Sequence, residues 1–122
     1  MVDGYDKVAE GAYCEIWFAP KALKTYEKAT EEDRARMNRV LDHLSEQGYS
    51  DLTDTQFKSE GRFPSGGGKK VLIYAAKAYQ LRLYGWFQQG PPRRFICPEG
   101  AIKKDNKADQ KQLKRVGKKA GE

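Results

Sequence analysis

With 122 residues, 39% of them hydrophobic and 33% charged, the chain has material for one core and a heavily solvated surface. No run approaches the roughly 18–20 apolar residues that cross a bilayer, and MVDGYDKVAEG lacks the basic-then-apolar pattern of a secretory leader, so a soluble cytoplasmic protein without membrane contact is expected. The net charge of +6 is unevenly spread: residues 1–61 hold 8 basic and 13 acidic side chains, residues 62–122 hold 15 and 4, so the second half is the one expected to meet a polyanion.

Residues 1–10 read as a flexible end. YCEIWFA (13–19) alternates and is rich in aromatic and β-branched residues, as a strand is. Pro20 suits the first turn of a helix running through KALKTYEKA. Thr30, followed by Glu31, Glu32 and Asp33, starts a second helix, with a capping hydroxyl and carboxylates at the positive end of the dipole. Met37, Val40, Leu41 and Leu44 recur at the spacing of a buried face, and Gly48 stops the helix. A helical hairpin over 20–47 follows. Residues 49–68 are turn-rich and end in a flexible GRFPSGGG loop. Gly68-Lys69 is followed by Lys70 and has Phe63 five positions before it, so the phosphate-loop pattern of nucleotide triphosphatases fails.

KKVLIYAA (69–76) and YQLRLYGWFQ (79–88) read as a strand hairpin turning near Lys77-Ala78. RRFIC (93–97) is a short strand that can resume at AIKK after a bend at Pro98-Glu99-Gly100. The last segment, from about Asn106 to Val116, reads as a helix with Asn106 as its cap and residues 117–122 as a flexible end. The order of elements gives a single α+β domain over 1–122: an N-terminal strand, a helical hairpin, an antiparallel sheet of 3–4 strands and a basic C-terminal helix.

Cys14 and Cys97 lie far apart in apolar runs and read as buried free thiols; with one His in the chain, neither a metal nor a cofactor is expected. His43, off the apolar face of its helix, reads as a solvent-exposed, structurally neutral residue, which removes the Ser/His and Cys/His forms of catalysis. Chemistry would have to come from Lys, Arg, Tyr or carboxylates. On the second hairpin strand Leu81, Leu83 and Phe87 point one way, and Gln80, Arg82, Tyr84 and Trp86 the other. That second face is either a sheet surface covered by a helix, with Arg82 paired to a carboxylate, or a platform on which bases stack while Arg82 grips phosphate. At about 100° per residue, Lys104, Lys107, Lys111, Lys114, Arg115 and Lys118 fall within a sector of roughly 100°, opposite Leu113, Val116 and Ala120. The stripe is directed outward over an apolar docking seam.

The helical hairpin 20–47, FKSEG (57–61), VLIYAAKAYQLRLYGWF, RRFIC and AIKKDNKADQKQLKRV together resemble the RelE/ParE toxin superfamily, nearest to its HigB-like, phage-protein-like branch, over residues 13–119. Arg82-Leu83-Tyr84 fits that family's Arg-bearing strand, and Gly100-Ala101-Ile102-Lys103-Lys104 its last strand running into a basic helix. The Gly-rich loop 61–68, the Gly90-Pro91-Pro92 turn and the lack of a His near the last strand depart from it.

The resemblance implies a toxin of a toxin–antitoxin pair that cleaves mRNA at the ribosome without metal, by attack of a ribose 2′-OH on its own 3′-phosphate. Arg82 would clamp the phosphate, Lys103 and Lys104 would stabilise its developing charge, and Tyr84 or a lysine of lowered pKa would move protons. Lys70, Lys77, Trp86, Arg93, Arg94, Lys107, Lys111, Lys114, Arg115 and Lys118 would hold the RNA. The cognate antitoxin would be encoded by the adjacent gene. Two other readings remain open at this point: a non-catalytic basic module of the same fold that binds nucleic acid or ribosomes, and a ParE-like inhibitor of DNA gyrase.

Overall fold

The computed structural model describes residues 4–105 and 107–121. Six strands and three helices follow one another as β1 (Asp6–Glu10), β2 (Glu15–Phe18), α1 (Pro20–Lys28), α2 (Glu31–Gln47), β3 (Phe57–Pro64), β4 (Lys70–Ala78), β5 (Leu81–Gln88), β6 (Arg94–Ile102) and α3 (Gln110–Lys119). The strands form one mixed sheet in the order β1-β2-β6-β5-β4-β3, antiparallel throughout except for the parallel pair β2 and β6. This is an α+β fold. Among the described residues no helix is long and apolar enough to cross a membrane.

The helical hairpin forms for the reasons its sequence gives. Pro20 opens α1, and the Thr30 hydroxyl accepts the Asp33 N–H at the start of α2. The Arg34 guanidinium donates to the carbonyls of Glu27 and Ala29 and so fastens the turn between the helices. Met37, Val40, Leu41 and Leu44 are buried, and Gly48 ends α2 with φ of 84°, a conformation that glycine adopts without steric cost. These side chains pack with Ile16, Phe18, Leu81, Leu83 and Phe95 on one face of the sheet. Cys14 and Cys97 lie in the same core as free thiols, and burial pushes Cys14 up to about 11. The opposite face holds a second core of Trp17, Ile73, Tyr84, Trp86 and Ile96, closed by Leu113 and Val116 of α3. The molecule is three layers thick, with the sheet in the middle.

Several expectations change. Residues 6–10 are not a loose end but strand β1, paired with β2. FKSEGRFP, expected within the turn-rich 49–68 stretch because Gly61 and Pro64 interrupt it, is strand β3, at the sheet edge where proline is tolerated, with a bulge at Glu60. The hairpin turns at Tyr79-Gln80, two residues later than expected, which leaves Lys77 inside β4 and opposite Arg82. Strand β6 runs without a break through Pro98. Its extra residue is taken up opposite Gly85, where a Cβ would overlap the Ile96 carbonyl. Helix α3 starts later than expected, with Asp109 accepting the Lys111 N–H as its cap, while Asn106 lies outside the described residues. Its end is held as well: Ala120 is buried and its carbonyl accepts the Gly66 N–H. His43 is half-buried rather than exposed, and its Nε2 is buried without a hydrogen-bond partner among the described residues.

A cationic pocket at the hairpin end of the sheet

The cross-strand pair Lys77 and Arg82 lies beside the β4–β5 turn, on the face that α3 covers further along. Both are nearly buried, with 7% and 6% of their surface exposed. The Lys77 Nζ donates to the Asp54 carbonyl at 3.1 Å, and the Arg82 guanidinium donates to the carbonyls of Tyr79 and Leu81. Burial, reinforced by the positive charge of Arg82, holds the Lys77 ammonium below its ordinary 10.5. These two side chains line a cavity of about 590 Å³ whose other walls are α2 (Arg36, Arg39), the 53–56 turn (Thr53, Thr55, Gln56) and Tyr79. Four cations therefore border it, and no carboxylate is among its lining residues. Such a cavity favours an anion that can accept hydrogen bonds from guanidinium and ammonium groups together.

The end of β6 reaches the same end of the sheet. Arg82 is opposite Ala101, and the Lys103 N–H donates to the Gln80 carbonyl at 2.7 Å. The Lys103 ammonium folds onto the Lys107 carbonyl at 3.0 Å, and Lys104 and Lys107 are exposed beside it. Along α3, Lys111, Lys114 and Lys118 all face solvent, and no ion pair holds them among the described residues.

Other residues expected at the site are elsewhere or otherwise engaged. Tyr84 is only 1% exposed under α3, and burial pushes its hydroxyl up to about 12, so it neither reaches solvent nor gives up a proton near neutrality. Trp86 is buried in the same core and offers no ring face for stacking. The aromatic face of β5 is thus the helix-covered surface, not an open platform.

Arg115, at the margin of the lysine stripe, turns inward: its Nε and Nη2 bond to Glu99 at 2.9 and 2.8 Å, and Gln112 adds a bond of 3.2 Å. Lys21 stands 3.7 Å away. Burial works against the Glu99 charge, but the bonds from Arg115 and Gln112 outweigh it and hold the carboxyl below its usual range. This cluster ties α1 and α3 to β6.

Arg93 and Arg94 are at the far end of β6. The first stacks on Tyr13 at 4.2 Å and donates to its carbonyl, and the second pairs with Glu15 at 3.2 Å. Lys70 opens β4, seven residues from Lys77 and so about 23 Å away along the strand.

Arg36, Arg39 and Tyr79 line the cavity without belonging to any catalytic or binding motif in the sequence. By sequence the two arginines belong to the polar face of their helix, and Tyr79 is the first residue of the strand expected over 79–88. The available signal was the i, i+3 pairing of arginines in an otherwise acidic half of the chain. No family model, curated protein or solved structure matches this chain.

Proposed function

We propose that the protein is a metal-independent endoribonuclease of RelE/ParE-like fold, the toxin of a toxin–antitoxin pair, acting on mRNA at the ribosome in the cytoplasm and neutralised by an antitoxin from the adjacent gene. The observation that carries this reading is the Lys77–Arg82 pair: a lysine held below its ordinary pKa, next to an arginine, in a cavity bordered by cations. The order of a strand, a helical hairpin, antiparallel strands and a C-terminal helix supports the resemblance, although the sheet is six-stranded and mixed where an antiparallel one of 3–4 strands was expected.

In the proposed reaction the 2′-oxygen attacks the adjacent phosphorus and the bond to the 5′-oxygen breaks, leaving a 2′,3′-cyclic phosphate and a 5′-hydroxyl. Lys77, whose ammonium gives up its proton more readily than a solvated lysine's, serves as the base for the 2′-OH, a role that Tyr84 in its buried position cannot fill. Arg82 bears the charge that develops on the phosphorane oxygens. The leaving oxygen takes a proton from an ammonium at the end of β6, a role given to Lys103, whose backbone N–H is bonded to the Gln80 carbonyl at the hairpin turn. Lys104, Lys107, Lys111, Lys114 and Lys118 extend the positive surface that the RNA backbone follows.

The test is cleavage of end-labelled RNA, with and without ribosomes. Cyclic-phosphate ends are expected, and Arg82→Gln is expected to slow cleavage by about 10²–10³-fold while remaining folded by circular dichroism. Intact RNA under both conditions refutes the reading. The burial of Tyr84 supports one alternative, a non-catalytic module that binds RNA by charge, for which affinity falls steeply with salt and no RNA is cut.

A further inference from the structure

Tyr79 is the tip of the β4–β5 hairpin and the rim of the cationic pocket. Its φ is 54°, the one positive value on a non-glycine among the described residues. A bulky residue in that region is unfavourable, and two-residue hairpin turns usually place Gly, Asn or Asp there. The ring is also half exposed, 52%, in a position where a smaller residue would turn the chain more readily. One contact gives it a purpose: the Arg36 guanidinium lies over the ring, 4.1 Å from its centroid, so a partly solvated cation–π pair stands at the mouth of the pocket. Glu32 approaches Arg36 from the helix side at 3.7 Å, outside the lining.

The floor of the pocket has a different character. Lys77 and Arg82, more than nine-tenths buried, form it, and the exposed side chains of Arg39, Thr53 and Thr55 with half-buried Gln56 stand around them as a further cation and neutral hydrogen-bonding groups. Balancing several cations in so small a space asks for more than the single charge of a phosphodiester. A phosphomonoester, with close to two charges at neutral pH and three acceptor oxygens, meets the demand.

We infer that this pocket binds a nucleoside phosphomonoester, its phosphate on Lys77, Arg82 and Arg39 and its base stacked against Tyr79 and Arg36. The inference rests on the reading of the site as phosphate-facing and deepens it: a 3′-phosphomonoester is the hydrolysed form of the end the proposed reaction leaves, so the site would retain its own product. The cavity of about 590 Å³ has room for one nucleotide, which places a single base at the rim.

Calorimetric titration of the full chain with adenosine 3′-monophosphate, inorganic phosphate and adenosine tests this. The monophosphate is expected to bind most tightly, phosphate more weakly and adenosine not measurably. Arg39→Gln and Lys77→Met are each expected to weaken the monophosphate about tenfold, the worth of one charge-assisted hydrogen bond. Tyr79→Gly relieves the backbone at that position, so it is expected to melt no lower than the wild type while losing the advantage of the monophosphate over phosphate.

Adenosine binding as tightly as its monophosphate, or monophosphate affinity indifferent to both Arg39→Gln and Lys77→Met, overturns the inference. Hexaadenylate with a 3′-phosphate, compared with its 3′-hydroxyl counterpart, separates the two sources of the group. Tighter binding of the phosphorylated strand supports a strand end as occupant, and equal binding of the two strands beside firm mononucleotide binding supports the free nucleotide. RNA cleavage is read in parallel. Monophosphate binding without cleavage refutes the ribonuclease reading alone, whereas cleavage without monophosphate binding refutes this inference alone.

Discussion

Replacing Glu99 with Gln isolates the charge at the junction of α1, β6 and α3 while keeping its shape. The carboxylate is 1% exposed and accepts from the Arg115 Nε and Nη2 and from Gln112, with Lys21 at 3.7 Å. An amide keeps one acceptor oxygen but turns a donor toward donors, so at least one charge-assisted bond is lost and another weakened. The side chain of Arg115 is 50% exposed and can turn to water, so no buried cation is orphaned. Hydrogen bonds to charged groups are worth about 1.5–3 kcal/mol, and relief from burying the charge returns part of that, so a net loss of about 2 kcal/mol is expected. For a chain of this size that is a drop in melting temperature of about 8 °C.

The pH dependence gives a second readout. A carboxyl held below its usual 4.5 contributes stability that is present above the unfolded value and lost as pH falls through the folded one. The difference between wild type and Glu99→Gln in chemical denaturation should therefore be full at pH 7 and shrink below about pH 4.5. Equal stability of the two proteins at pH 7, or a difference that persists undiminished in acid, refutes the assignment of Glu99 as the charged tie between the layers.

Cleavage by the wild type should rise with pH along a limb centred below 10.5, because the folded protein gives up the Lys77 proton before a solvated lysine would; Lys77→Met should flatten that limb in a pH–rate profile. Gly85→Ala pushes a Cβ into the Ile96 carbonyl across the β5–β6 bulge, and a loss of about 3 kcal/mol or more is expected by urea denaturation. Replacing Lys111, Lys114 and Lys118 together with Gln should lower the slope of log affinity for single-stranded RNA against log salt by about 2, at roughly 0.7 per cation, without changing the melting temperature by more than about 2 °C. Arg94→Gln should leave that slope unchanged, since Arg94 is paired with Glu15 at the far end of β6, and a reduced slope would return it to the RNA surface.

The parts of the fold readable from sequence are those where local chemistry and tertiary packing agree. Thr30, Met37, Val40, Leu41, Leu44 and Gly48 fix α2 by capping and periodicity alone, and Leu113 with Val116 marks the docking side of α3. The edge strands β1 and β3 carry polar and turn-forming residues, and only pairing with β2 and β4 makes them strands. Alternation along β5 separates two faces, but a face covered by a helix and one open to solvent have the same period. Tyr84 and Trp86 became readable only with α3 above them. Arg115 illustrates the same limit for charge. Helical phase puts it in the lysine stripe, yet its partner is Glu99 on another element. Arg36 and Arg39 look like solvated helix cations until the 53–56 turn and the hairpin tip close around them.

The parallel pairing of β2 with β6 also governs the order of events during synthesis. Glu15 and Arg94 are partners across 79 residues, and Cys97 opposite Phe18 completes the ladder. Such long-range closure is slow, and it cannot begin while β6 is still in the ribosomal tunnel. Until then the second core has no α3 over Tyr84 and Trp86, and Lys103 has no Gln80 carbonyl to hold it. The lining of the cationic pocket, by contrast, lies wholly between Arg36 and Arg82, so every residue that forms it is synthesised before β6 and α3. The pocket and the cover over Tyr84 and Trp86 therefore belong to different stages of the chain's emergence.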